Sequence, residues 1–187
     1  MNIRNNQELL QALANGVAVK YLFFWGHQSK MTSSAPVVTK SCFSQWYHAP
    51  FTSDNCHFQT AEHYMMFAKA MLFDDKKSAN KVLAAQSPGE AKAIGRTVAN
   101  FNDQVWQQHR FDIVINANLA KFRAHNELAN FLINTNDRVI VEASPVDSIW
   151  GIGMAQDNPK IEQPEHWRGL NLLGYALMEV RERLIND

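Results

Sequence analysis

Thr60-Ala61-Glu62-His63-Tyr64-Met65-Met66-Phe67-Ala68-Lys69-Ala70 is the stretch whose reading decides the fold. Threonine is a natural N-cap, and the residues after it predict a helix. Glu62 and Lys69 are seven positions apart, two helical turns, so they lie almost on one line. Large apolar residues stand between them, which predicts a mostly buried helix. A buried helix that keeps an acid and an amine on one face usually has a use for them.

Outward from this helix the chain reads as helix-rich. Asn5 to Ala14 predicts a short helix ended by Asn15-Gly16, and Val17 to Phe24 alternates like a strand. Ser29 to Thr39 is small, polar and turn-like. A second extended segment is expected near Cys42 to Tyr47, and Pro50 to Asn55 reads as a loop. Asp74 to Gln86 predicts a helix, and Ser87-Pro88 closes it and opens the next, which Glu90 to Ala99 continues. Asn102 or Asp103 caps a long helix to about Arg123, and Asn126 to Ile133 is another. Val139-Ile140-Val141 reads as a short buried strand, followed by an irregular stretch from Ala143 to Gly169. The last helix, Asn171 to Leu184, is expected to bury Leu173, Leu177, Val180 and Leu184. The expected architecture is one helix-dominated α+β domain over 1–187, with a few short β-strands.

Composition narrows the function classes. The 187 residues carry 18 basic and 18 acidic side chains, and this balance argues against a generic electrostatic nucleic-acid binder. The two cysteines, Cys42 and Cys56, cannot complete a four-cysteine zinc site. The histidines show no recognised ligand spacing, so a metal-free reaction without a cofactor is expected. The first thirteen residues lack the apolar core of a signal peptide, and no apolar run has membrane-spanning length. The expectation is a cytoplasmic protein with reduced thiols.

Several motifs occur in order: Phe24-Trp25-Gly26-His27, Ser44-Gln45-Trp46, Pro50-Phe51, the Thr60 to Ala70 block, Gly95-Arg96 and Asn118-Leu119-Ala120-Lys121-Phe122. Val141 to Pro145, Asp147 to Gly153, Trp167 to Gly174 and Leu177 to Arg181 follow. Together they resemble the NADAR family, the YbiA-like N-glycosidases. The resemblance implies the YbiA-like fold and a hydrolase for N-glycosidic bonds. Such members cleave phosphoribosylamino-pyrimidine intermediates of riboflavin synthesis to ribose 5-phosphate and a free base. Others remove ADP-ribose from guanine in nucleic acid. A non-catalytic module for ADP-ribose or NAD is the alternative from another class. The implied partner is thus a phosphoribosyl or ADP-ribosyl small molecule, with nucleic acid entering only as an ADP-ribosylated substrate.

Breaking the C1–N bond of a ribosylamine requires a proton on the leaving nitrogen, attack at C1 and tolerance of positive charge on the sugar. The resemblance brings Lys69 forward as an amine nucleophile that forms a Schiff base. By position alone, a lysine snorkelling out of a core helix is the favoured reading; the motif match reverses the odds. Seven helical rises separate Lys69 from Glu62 by ~10 Å, about the span of a pentose, and the lean of helical side chains disfavours a direct salt bridge. Glu62 is assigned to ribose hydroxyls or a cationic intermediate, against a first-turn carboxylate that only meets the helix dipole. Asp147 either orients water or a sugar hydroxyl, or is a turn aspartate. Trp150 stacks on a base or simply packs, and Gly151 allows close backbone approach. Trp25, Gly26 and Gln45 sit in loops after extended segments, where ligand groups gather. Arg96 and Lys121 are phosphate candidates, set against exposed charges on helices. Asn171 is a ligand contact or the last helix's N-cap, the cap being the stronger reading.

Overall fold

Thr60 caps the helix expected of it, its hydroxyl accepting from the His63 backbone N–H at 3.4 Å. That helix is one element of a computed structural model that describes residues 3–28, 30–31 and 36–187. Contacts gather into two compact units, one of Met1–Ser44 with Glu127–Asp187 and one of Gln45–Asn126. The elements in chain order are α1 (Asn6–Ala14), β1 (Tyr21–Phe24), β2 (Lys30–Met31), β3 (Pro36–Val37), β4 (Phe51–Ser53), β5 (Cys56–Phe58), α2 (Ala61–Leu72), α3 (Lys76–Ala84), α4 (Pro88–Gly95), α5 (Asp103–Ala124), α6 (Asn126–Ile133), β6 (Val139–Glu142) and α7 (Leu172–Asn186). This is the helix-dominated α+β class with short strands. Among the described residues, no helix is long and apolar enough to cross a membrane.

In the Gln45–Asn126 unit, α2 packs against α3, α4 and α5. Asp75 caps α3, accepting from Ser78 N at 3.0 Å, and its other oxygen accepts from Ala99 N at 2.9 Å. The Ser78 side-chain hydrogen bond, with those from the Ala99 and Ser78 backbone, holds the Asp75 carboxyl down at about 2. Ser87 caps α4, with Pro88 in its first turn, as expected. The helix stops at Gly95 instead of continuing to Ala99, because Gly95 and, past Arg96, the β-branched pair Thr97-Val98 are poor helix formers. The Pro50 to Asn55 loop is in fact the first half of a hairpin. Phe51 pairs with Phe58 and Ser53 with Cys56, and Asp54 and Asn55 both take positive φ (49° and 61°). Two such residues make the turn whose twist suits a two-residue hairpin, so an Asp-Asn pair joins strands here. Phe51, Phe58, Tyr64 and Phe67 pack ring against ring over the hairpin and α2.

His63 is a hydrogen-bonded structural residue. Its Nδ1 lies 2.8 Å from Thr60 Oγ1 and its Nε2 lies 3.3 Å from Ala85 O. A carbonyl only accepts, so Nε2 carries the proton. Burial holds the imidazole's pKa below its usual 6.5, partly offset by the bond to Ala85 and by Glu90.

In the other unit, β1 and β6 form a parallel pair running from Tyr21↔Val139 to Phe24↔Glu142. The strand expected from Val17 begins only at Tyr21, and Val17 is exposed. The extended segment expected near Cys42 is a 3-10 turn, Lys40–Phe43, with Thr39 Oγ1 accepting from Ser41 N. Hydroxyls that bond the local backbone compete with strand pairing, and Thr39, Ser41 and Ser44 cluster here. Of the segment Ser29 to Thr39, positions 29 and 32–35 lie outside the described residues; β2 and β3 pair antiparallel within it. A second 3-10 turn, Pro164–His166, interrupts the irregular stretch. Helix α7 buries Leu173, Leu177 and Val180, while Leu184 is only half-buried.

The cap expected of Asn171 needs correction. Asn171 precedes α7 with φ 53°, and its side chain makes no capping bond. Instead its Nδ2 donates to Ile140 O at 3.0 Å and its Oδ1 accepts from Glu142 N at 3.0 Å. The left-handed backbone turns the amide away from the helix and onto β6. Gly174, one turn later, continues this close approach, since a Cβ there would lie 2.1 Å from Ile140 O.

Two outcomes follow for stability. Asn171→Ala leaves the buried Ile140 O and the part-buried Glu142 N of β6 without this partner and should cost about 2–4 kcal/mol, read by urea denaturation at unchanged m-value. His63 takes up its proton less readily folded than unfolded. Its contribution is therefore whole above pH 6.5 and declines as pH falls through its lowered folded value. Denaturation midpoints at pH 7.5 and pH 5 should separate more for the wild type than for His63→Gln.

Candidate active site

Lys69 sits in the last turn of α2, half-buried, and its Nζ donates to Gly95 O at 2.8 Å. The Phe101 ring lies 4.2 Å from the amine, centroid to Nζ, and the Trp106 ring 5.5 Å. These contacts shield the amine in part from water. Burial lowers its pKa from the usual 10.5, and Asp103 partly restores it. A lysine whose neutral fraction is raised in this way is a better nucleophile near neutral pH. Its hydrogen bond goes to the end of α4, not to Glu62, in keeping with the expectation that these two side chains do not pair directly.

Glu62 is buried in the first turn of α2, and its backbone N–H donates to Gln45 O at 3.0 Å. The helix start lies next to it, where a carboxylate is favoured. Gln45 is also buried. Its Oε1 accepts from Asn118 Nδ2 at 2.7 Å, and its Nε2 lies 3.9 Å from Met65 Sδ. Asn118 donates as well to Val114 O at 2.9 Å, inside α5. Gln45 is thus tied to the α2–α5 packing through its oxygen.

The two phosphate candidates differ sharply. Arg96 is exposed just past α4, the place of a solvated helix charge. Lys121 is wholly buried within α5, with its Nζ 4.8 Å from the Phe122 ring. The reading of Lys121 as an exposed helix charge is therefore corrected. Position on the long helix α5 did not reveal which way it faced.

In the other unit, the Ala143 to Gly153 loop leaves β6 and is built around Asp147. Asp147 Oδ1 accepts from both Ile149 N and Trp150 N at 2.8 Å, and Asp147 O accepts from Gly153 N at 3.0 Å. This is the turn geometry weighed for it, and it fixes the direction of the carboxylate. Gly151 is required by space, because a Cβ would lie 2.8 Å from Glu142 O. Trp150 is half-buried, while Trp25 is 59% exposed, directly after β1, and Gly26 turns with φ 84°. Since Phe24 pairs with Glu142 in a parallel ladder, the Trp25-Gly26 and Asp147 loops leave from the same end of the two strands. Asn171 is fully buried, with amide oxygen and nitrogen both on β6.

The sequence reading missed three groups around the amine. In the sequence Gly95 stands only within the Gly95-Arg96 motif, and Phe101 and Trp106 carry no signal of their own. All three surround Lys69 through tertiary packing of α2 with the ends of α4 and α5. Among the described residues, no group of three or more His, Cys, Asp or Glu is arranged to hold a metal ion.

Residues 23–185 match the NADAR domain model. The chain is 38% identical over 169 residues to "N-glycosidase R617" of Acanthamoeba polyphaga mimivirus, covering 87% of this chain and 95% of that protein. It is 33% identical over 133 residues to "Riboflavin biosynthesis protein PYRR, chloroplastic" of Zea mays, covering 67% of this chain and 20% of that one. The solved NMR structure of the E. coli protein YbiA superposes with a TM-score of 0.68 at 28% identity, covering 89% of this chain and 86% of that one. With a family model spanning most of its length and a relative matched nearly end to end, the chain belongs to the NADAR family.

Proposed function

We propose that this protein is an N-glycosidase that hydrolyses the C1–N bond of phosphoribosylamino-pyrimidines related to riboflavin intermediates, releasing ribose 5-phosphate. The observation that carries the proposal is the Lys69 amine, half-buried, with lowered proton affinity, in the helix that opens with buried Glu62. Similarity to a viral protein named an N-glycosidase and to part of a plant riboflavin biosynthesis protein supports the reaction and the substrate class. The reading of 1–187 as one functional domain belongs to this proposal, since the family model runs through both compact units.

The chemistry proceeds as a transimination. The ribosylamine ring opens to an imine at C1, the neutral Lys69 amine adds to C1, and the pyrimidine amine leaves with a proton. A Lys69–C1 iminium remains. Water adds to C1, a proton is lost, and the C1–Nζ bond breaks to restore the amine and free the sugar aldehyde. One water is consumed and one C1–N bond broken. The Glu62 carboxylate stabilises the cationic intermediate. Asp147, through the oxygen not committed to its turn, is assigned a sugar hydroxyl or the attacking water, with Trp25, Gly26, Trp150 and Gly151 as candidate substrate contacts.

Lys69→Ala should lose ribose 5-phosphate release to about the background rate, and borohydride should trap a sugar adduct on Lys69 by mass spectrometry. Wild-type release by Lys69→Ala rules the amine out. Glu62→Gln should lose about 10²-fold in kcat. Asp147→Asn keeps the turn acceptor but removes the charge, so activity lost in a protein of unchanged melting temperature assigns the carboxylate to chemistry. Release from ADP-ribosylated guanine, and not from the pyrimidine substrates, moves the substrate class.

A further inference from the structure

We infer that the Gly95 carbonyl and the Phe101 ring form a positioning device that keeps the Lys69 adduct protonated, making Gly95 a residue of function and not only of packing. This rests on the proposed amine mechanism. Nζ passes through four states, namely ammonium, amine, neutral imine and iminium. Only the neutral imine has no N–H to donate. A carbonyl fixed 2.8 Å from Nζ therefore stabilises the iminium relative to the imine. The ring face 4.2 Å away adds in the same direction, since a π-face attracts a cation. The iminium is the form that water attacks, because the positive nitrogen draws electrons from C1. The same two contacts oppose the desolvation that frees the amine for its first attack, so the pair balances nucleophile against electrophile.

The carbonyl is where it is because residue 95 has no side chain. A Cβ on Gly95 would meet Met66 Sδ at 2.0 Å, Cγ at 2.8 Å and Cβ at 3.2 Å. Met66 is itself buried on α2, so it has little room to yield. Any larger residue at 95 pushes the end of α4 away from α2, and the carbonyl with it. Gly95 has no positive φ, so close approach alone demands the glycine.

The test uses ribose 5-phosphate as the probe, with borohydride trapping of wild type and variants across pH, alongside steady-state release. Gly95→Ala should lower kcat about tenfold, with a smaller change in KM, and shift the trapping profile to lower pH. Met66→Ala with Gly95→Ala makes room for the new Cβ and should restore both. Phe101→Leu, at an exposed position, should shift the profile in the same direction by a smaller amount. Wild-type profiles for both folded Gly95→Ala and Phe101→Leu, or a double variant that stays shifted like Gly95→Ala, overturn the device. If Gly95→Ala and the double variant both fail to fold, Phe101→Leu decides alone. An unchanged profile alongside an inactive Lys69→Ala overturns only the device, whereas an active Lys69→Ala overturns the mechanism beneath it.

Discussion

The missing side chain at Gly95 is the constraint on which the amine's surroundings depend. Met66 occupies the space a Cβ would need, so α2 and the end of α4 approach as only a glycine permits. That approach brings an orphan carbonyl at a helix C-terminus to a lysine in the last turn of its neighbour. The carbonyl gains a donor and the lysine a fixed direction. Phe101 and Trp106, flanking the start of α5, then close over an amine already held in place.

Two opposing effects act on that amine. Burial removes water from the ammonium and favours the neutral form, while the carbonyl, the ring faces and Asp103 favour the charged form. Burial is the larger, since the pKa falls. The lysine is only half-buried, and its partners are neutral apart from Asp103. A closer carboxylate would have reversed the sign and held the amine protonated. Lys69 is bonded instead to the neutral Gly95 carbonyl.

How much was legible in the sequence follows from the range of each interaction. Thr60, Ser87 and Asn102 were readable as caps because a cap bonds within three residues of itself. The spacing of Glu62 and Lys69 was readable because helix periodicity is local. The hairpin was missed because Asp54-Asn55 lacks the glycine that usually announces its turn. The burial of Lys121 and the Asn171 clamp on β6 were missed because they depend on segments far away in sequence. Asn171 misled most directly, since the residue before a helix is where a capping side chain belongs, and only its φ of 53° sends the amide elsewhere. The helix expected to continue to Ala99 ends at Gly95, where the missing side chain admits Met66.

Asp147 shows why structural and chemical readings of one residue need not compete. Its Oδ1 accepts two backbone N–H groups at 2.8 Å, which is what a turn aspartate does. Those bonds also stop the carboxylate from rotating, and they use only one of its oxygens. The loop around it has little freedom, because Gly151 lies against Glu142 O and a Cβ on Gly169 would sit 2.3 Å from Gly151 O. A carboxylate fixed in this way has already met the entropy cost of orientation before a ligand arrives. The turn is therefore the condition for any chemical role of Asp147, and the role has to be sought in the charge that the turn leaves over.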